Sequence, residues 1–199
     1  WVVAELTAGD ASQPIKGARD VALMKYDSAG NLMQTKLLGA ASSANGFSIA
    51  VDADGRVAVA GSVTGALEPG KSGDAANVAD SFVTVFAPDG KELWTQRRGA
   101  KAADEATEVG FGADGMVYVA GRSKSAMPGQ TAFGGWDSYL QTFQEKPLTV
   151  IGPVAGVNVS TLQFGTGGDD SVQAMTLSGT DLYTAGVESG RAVVRRFTL

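Results

Sequence analysis

Residues 20–61 recur without a gap as residues 80–121, and this self-similarity restricts the chain to folds assembled from copies of one small unit. Twelve of the 42 aligned positions are identical: Asp20/Asp80, Gly30/Gly90, Thr35/Thr95, Gly39/Gly99, Ala40/Ala100, Ala53/Ala113, Asp54/Asp114, Gly55/Gly115, Val57/Val117, Val59/Val119, Ala60/Ala120 and Gly61/Gly121. Unrelated segments of this composition would share about three. A third copy opens with Asp137-Ser138-Tyr139-Leu140, passes through an altered middle, resumes at Leu162-Gln163-Phe164-Gly165 and closes with Leu182-Tyr183-Thr184-Ala185-Gly186. Trp1-Val2-Val3-Ala4 reads as the tail of a preceding copy, and residues 191–199 as the opening strand of a following one. The expected organisation is one segment, 1–199, with a partial repeat 1–19, repeats 20–79, 80–136 and 137–190, and a partial repeat 191–199.

Within each copy the apolar residues alternate with period two, the pattern of strands rather than helices. Phe82, Thr84 and Phe86 share one face against Val83 and Val85; Phe47, Ile49 and Val51 alternate with Ser48, Ala50 and Asp52. Ala29-Gly30, Asp54-Gly55, Asp89-Gly90 and Asp114-Gly115 stand between strands, where such pairs supply the positive φ angles of tight hairpin turns. Each copy therefore predicts four short antiparallel strands, and the chain an all-β, propeller-type array of about fourteen strands, or three and a half blades. Rings close with typically four to eight blades. The expectation is a piece of a larger propeller, or two chains completing a ring, with self-association through unpaired strand edges.

Composition narrows the functional classes. Sixteen Lys and Arg against 21 Asp and Glu give a net charge of −5, which argues against nucleic acid and against an anionic membrane surface. With no Cys and no His, disulfides, thiolate metal sites and histidine acid–base chemistry are excluded. The longest charge-free stretch, 147–168, carries Pro153, five glycines and several Thr, Ser, Asn and Gln residues, too polar to span a bilayer. No basic-then-apolar leader precedes the first strand pattern, so the true N-terminus and any signal peptide are expected to lie outside this sequence.

The run Asp80-Ser81-Phe82-Val83, then Pro88-Asp89-Gly90, Gly99, Val109, Phe111, Asp114-Gly115 and Val117-Tyr118-Val119-Ala120-Gly121 resembles the bacterial β-propeller repeat abbreviated SBBP. The resemblance covers all but residues 144–161, and it implies a scaffold or recognition platform within large bacterial envelope, surface or secreted proteins. The chain also resembles alphaproteobacterial flagellar regulatory proteins that carry such repeats. Two departures stand out: Glu5 in place of the closing glycine of the first partial copy, and an irregular second strand in the third copy.

Function is expected in the inter-repeat linkers 7–19, 62–79 and 122–136, which leave the same strand type, enter the same next strand and so emerge on one rim. The candidate partner contacts are Trp136, Phe133, Arg122 and Lys124, facing a protein or glycan partner. Trp136 is expected to be half-buried between blades, whereas Trp94 lies within a strand pattern and reads as packing. Asp104-Glu105 and Asp169-Asp170 raise the alternative of a glycan-cleaving enzyme, whose two acids must stand about 5 to 10 Å apart. Their recurrence at corresponding points of successive repeats reads better as a turn or cap. Asp52-Ala53-Asp54-Gly55 and Gly167-Gly168-Asp169-Asp170 suggest calcium, yet neither fits a twelve-residue calcium loop. The basic groups Arg97-Arg98-Lys101 and Arg191-Arg195-Arg196 read as charges on outer strand edges. Asn158-Val159-Ser160 matches a glycosylation acceptor by chance. The reading is a non-catalytic binding or scaffold module with no cofactor, no metal site and no membrane insertion.

Overall fold

The computed structural model describes residues 1–9, 13–65, 78–97, 99–147 and 153–199, and every regular element among them is a strand. Fourteen strands form four antiparallel sheets. The first holds β1 (Val2–Leu6), β2 (Asp20–Tyr26) and β3 (Leu32–Leu38). The second holds β4 (Ser43–Val51), β5 (Val57–Thr64), β6 (Asp80–Phe86) and β7 (Glu92–Arg97). The third runs from β8 (Asp104–Phe111) through β9 (Val117–Ser123) and β10 (Asp137–Pro147) to β11 (Val154–Phe164). The fourth comprises β12 (Asp170–Ser178), β13 (Asp181–Glu188) and β14 (Arg191–Thr198). This is the expected propeller-type blade array, and among the described residues no ladder joins β1 to β14.

The period-two alternation feeds a separate core on each side of the middle sheets. On β5, Val57 and Val59 face the first sheet, where they meet Val21 and Leu23 of β2; Ala58 and Ala60 face the third. On β6, Phe82 and Phe86 point to the first sheet, Val83 and Val85 to the third. On β9, Val117 and Val119 pack toward the second sheet with Tyr139 and Phe143, while Tyr118 and Ala120 pack toward Val172 and Leu182 of the fourth. A four-stranded sheet with two apolar faces must be covered on both, so the seams are what hold the array together.

Blade and sequence repeat are out of phase. Every sheet draws its strands from two successive repeats, so the long inter-repeat linkers are hairpin loops inside a sheet, between β1 and β2, β5 and β6, and β9 and β10. Residues 10–12 and 66–77 of these loops lie outside the described residues. Ser62 and Arg122, read as linker residues, belong to β5 and β9.

The opposite rim carries the tight turns. Asp27 N–H donates to the Asn31 carbonyl at 3.0 Å and Gly30 N–H to the Asp27 carbonyl at 3.1 Å, and residues 52–56, 87–91 and 112–116 repeat this pattern. Only the glycine takes a positive φ, from +78° to +85° at Gly30, Gly55, Gly90 and Gly115; the preceding residue does not. The loops are thus three residues long with one left-handed position, rather than the two-residue turn an Asp-Gly pair suggests.

Two sequence departures acquire a structural meaning. Ala4, not Glu5, occupies the register position of the closing glycine: Ala4 opposes Ala22 as Gly61 opposes Phe82 and Gly121 opposes Tyr139. The irregular part of the third copy is an arm, the far ends of β10 and β11, which reach over the second sheet. There Glu145 accepts from Trp94 Nε1 at 2.8 Å and from Arg56 at 2.6 Å, and Gly156 lies flat on the Trp94 ring, where a Cβ would sit 2.3 Å from Cε3.

Candidate recognition rim

Strand direction brings the β1–β2, β5–β6 and β9–β10 loops and the three sheet-to-sheet connections to one end of the array. At that end five aspartates, Asp20, Asp80, Asp104, Asp137 and Asp170, open their strands with exposures of 0 to 1%. Burying a carboxylate is tolerated only when donors surround it. The donors are backbone N–H groups four residues upstream: Lys16 to Asp20 at 2.9 Å, Ala100 to Asp104 at 2.8 Å, Phe133 to Asp137 at 2.8 Å and Thr166 to Asp170 at 2.5 Å. Asp80 holds Arg97 in an ion pair, and Arg97 also donates to the Gly65 carbonyl at 2.9 Å. Arg97 is therefore an internal tie rather than an outward-facing edge charge, and Arg98 lies outside the described residues. Gly39 and Gly99 leave room for this arrangement, since a Cβ at either would strike the carboxylate of Asp20 or Asp80.

The loop between β9 and β10 is described throughout and is tied down at several points. Asp137 accepts from Phe133 N–H and Gly134 N–H, and from Gln163 Nε2 at 2.7 Å. Gln163 in turn accepts from Met127 N–H at 2.8 Å, donates to the Ser125 carbonyl at 3.2 Å, and its own N–H meets Gln130 Oε1 at 3.0 Å. Met127 is buried between the second and third sheets. Trp136 N–H donates to Asp169 at 2.9 Å, and its carbonyl receives Asp170 N–H at 2.6 Å.

This scaffold brings together all four candidate contact residues on or beside one loop. Arg122 lies over the Trp136 ring at 4.4 Å and Lys124 at 5.0 Å, while Arg122 also grips Glu105 through two nitrogens at 2.8 and 2.9 Å. Trp136 is half-buried, as expected, and Phe133 remains 53% exposed. Arginine and lysine packed on an aromatic face fix the ring and keep cationic heads at the surface. Trp94, by contrast, is buried in the seam between the second and third sheets.

The acids considered for catalysis are spent on structure. Asp104 accepts from Ser81 N–H at 2.6 Å as well as from Ala100; Asp170 also accepts from Ser189 N–H and the Thr166 hydroxyl. Burial pushes the Asp104 carboxyl up to about 6, with the Asp80 charge adding to the rise and its hydrogen bonds opposing it. Among the described residues no three acidic side chains converge on a metal-sized site. Arg195 and Arg196 pair with Glu188 and Asp181 and do not form a basic patch. Gln163 and Met127, which fix the rim loop, were not legible in the sequence: their partners lie 26 to 38 residues away or in another sheet.

Fold and rim together define a propeller-type blade array with one elaborated rim. No family model matches the chain. Over 193 residues, 93% of the chain, it is 45% identical to the regulatory protein FlaEY of Caulobacter vibrioides, and it spans 20% of that protein's length.

Proposed function

We propose that the chain is a non-catalytic recognition and scaffold module of a larger bacterial regulatory protein, associated with the flagellum or cell envelope, and that its elaborated rim docks a protein or glycan surface. The observation that carries this reading is Phe133: a large exposed aromatic on a loop whose backbone is tied to the buried Asp137 carboxylate and to Asp169, next to a Trp136 ring braced by Arg122 and Lys124. Aromatic groups on rigid elements bind with little loss of conformational freedom, which is where interface energy concentrates. Similarity to a regulatory protein supports a binding role over a catalytic one.

The test is to screen the purified chain against arrays of bacterial glycans and of peptides from flagellar and envelope proteins, then repeat with Phe133→Ala and Trp136→Ala. Binding weakened about tenfold or more, with unchanged thermal unfolding, supports the reading. Binders indifferent to both changes defeat it, as does polysaccharide turnover that Asp104→Ala, Asp169→Ala or Asp170→Ala abolishes.

A further inference from the structure

The polar side-chain groups left uncommitted around the Trp136 ring are donors. Lys124 is exposed, lies 5.0 Å from the ring centre and, among the described residues, has no carboxylate partner. Arg122 spends Nε and Nη2 on one oxygen of Glu105, which leaves Nη1 uncommitted on a side chain that is 37% exposed. The indole Nε1 donates to no described residue. The two acids that touch this group are already engaged. Glu105 is held by Arg122, and Asp169 takes the Trp136 N–H and lies against the Gly135 backbone, where a Cβ would strike it.

The loop backbone has no donor to add. Phe133 N–H and Gly134 N–H go to Asp137, Gly135 N–H to the Gly168 carbonyl at 3.3 Å, and Trp136 N–H to Asp169. An incoming chain finds no row of free N–H groups to extend as a strand, so recognition falls to side chains. Those side chains ask for two things at once. An ammonium, a guanidinium nitrogen and an indole N–H call for a group that only accepts, and an ionised carboxylate is such a group. Phe133, three residues before Trp136 and 53% exposed, calls for an apolar one. A sugar answers less well: each hydroxyl brings a donor to a cluster whose carboxylates are engaged, and the two cations cover ring surface on which its face would stack. A phosphate would need the fork of Arg122 that Glu105 already holds.

We infer that the partner of this rim is an acidic peptide, with an Asp or Glu carboxylate accepting from Lys124 Nζ, Arg122 Nη1 and Trp136 Nε1 while a neighbouring apolar side chain packs on Phe133. The inference rests on the docking role proposed for the rim and names the chemistry of what docks there.

The experiment selects a displayed library of random dodecapeptides on the 199-residue chain. The most enriched peptide is then synthesised beside a version with Asn and Gln in place of Asp and Glu, and the binding of both is measured by fluorescence anisotropy at low and high salt. Enriched sequences are expected to pair Asp or Glu with a large apolar residue, and the amide version to bind about tenfold more weakly. Lys124→Glu should cost about tenfold or more, and Trp136→Phe, which keeps a ring and removes the indole N–H, about threefold, both with unchanged thermal unfolding. Binding that Phe133→Ala weakens but Lys124→Glu leaves alone keeps the docking rim and overturns the acidic peptide. Enrichment of neutral or basic sequences overturns it, as does a selection that enriches nothing, whether or not polygalacturonate oligomers bind instead. Indifference to Phe133→Ala and Lys124→Glu alike defeats the docking rim as well.

Discussion

Both rims of the array are stitched by aspartate, but in opposite ways. At the turn rim Asp27 and Asp52 accept from backbone N–H groups two and four residues ahead, at 2.8 to 3.0 Å, and Asp89 and Asp114 from the group two ahead. Asp27, Asp89 and Asp114 do so on the exposed surface. At the loop rim the carboxylates look backward, to the N–H four residues upstream, and are sealed from solvent. A forward-looking aspartate needs only a short turn. A backward-looking one can fasten the end of a loop of any length to the start of a strand. This difference lets one rim stay minimal and the other carry long, variable loops without losing order.

The sharpest way to break the contrast is to remove a carboxylate from each rim. Asp137→Ala strands three donors, the part-buried Phe133 N–H and Gly134 N–H and the buried Gln163 Nε2. Urea unfolding is expected to show a loss of about 4 kcal/mol. Asp27→Ala leaves its donors to water and is expected to lose only a small fraction of that. Equal losses would mean that the rims are not held differently.

Asp104 gives the contrast a pH signature. Its carboxyl is raised to about 6 from 3.8, so the folded chain favours its protonated form. The contribution is fully present below pH 4 and lost as pH rises through about 6, at about 3 kcal/mol for a shift of this size. Unfolding free energy measured from pH 4 to 7.5 should fall more steeply in the unaltered chain than in Asp104→Asn. Parallel curves would assign the pH dependence to other groups.

A smaller effect is expected at the arm. Glu145→Gln weakens its links to Arg56 and Trp94 Nε1, and the loss in chemical denaturation should be about 1 to 2 kcal/mol, with a shift in Trp fluorescence. An unchanged spectrum would show that the arm does not grip Trp94.

How far the sequence discloses these features depends on range. Alternation in residues 82–86 and 57–60 predicts strands with two apolar faces, because a side chain's face is decided by its neighbour's. The turn glycines are equally local. The phase between repeat and blade is not: period alone says how long the unit is, never where a sheet begins. Arg97 reads as an edge charge until Asp80 is seen beneath it, and residues 144–161 read as irregular because their partner, Trp94, belongs to another repeat. At the rim, Trp136, Phe133, Arg122 and Lys124 were legible from their place around a long loop. Gln163 and Asp169, which hold that loop together with Asp137, act across 26 to 33 residues and leave no local pattern.

The claim beneath all of this is that buried carboxylates turn a long surface loop into a rigid platform. Residue-resolved hydrogen exchange at Phe133, Gly134 and Trp136 tests it directly. The account predicts that these three amides exchange as slowly as those of β10, and that Asp137→Ala releases Phe133 and Gly134 while Trp136, held by Asp169, keeps its protection. Exchange of all three at the rate of an open loop in the unaltered chain would contradict it.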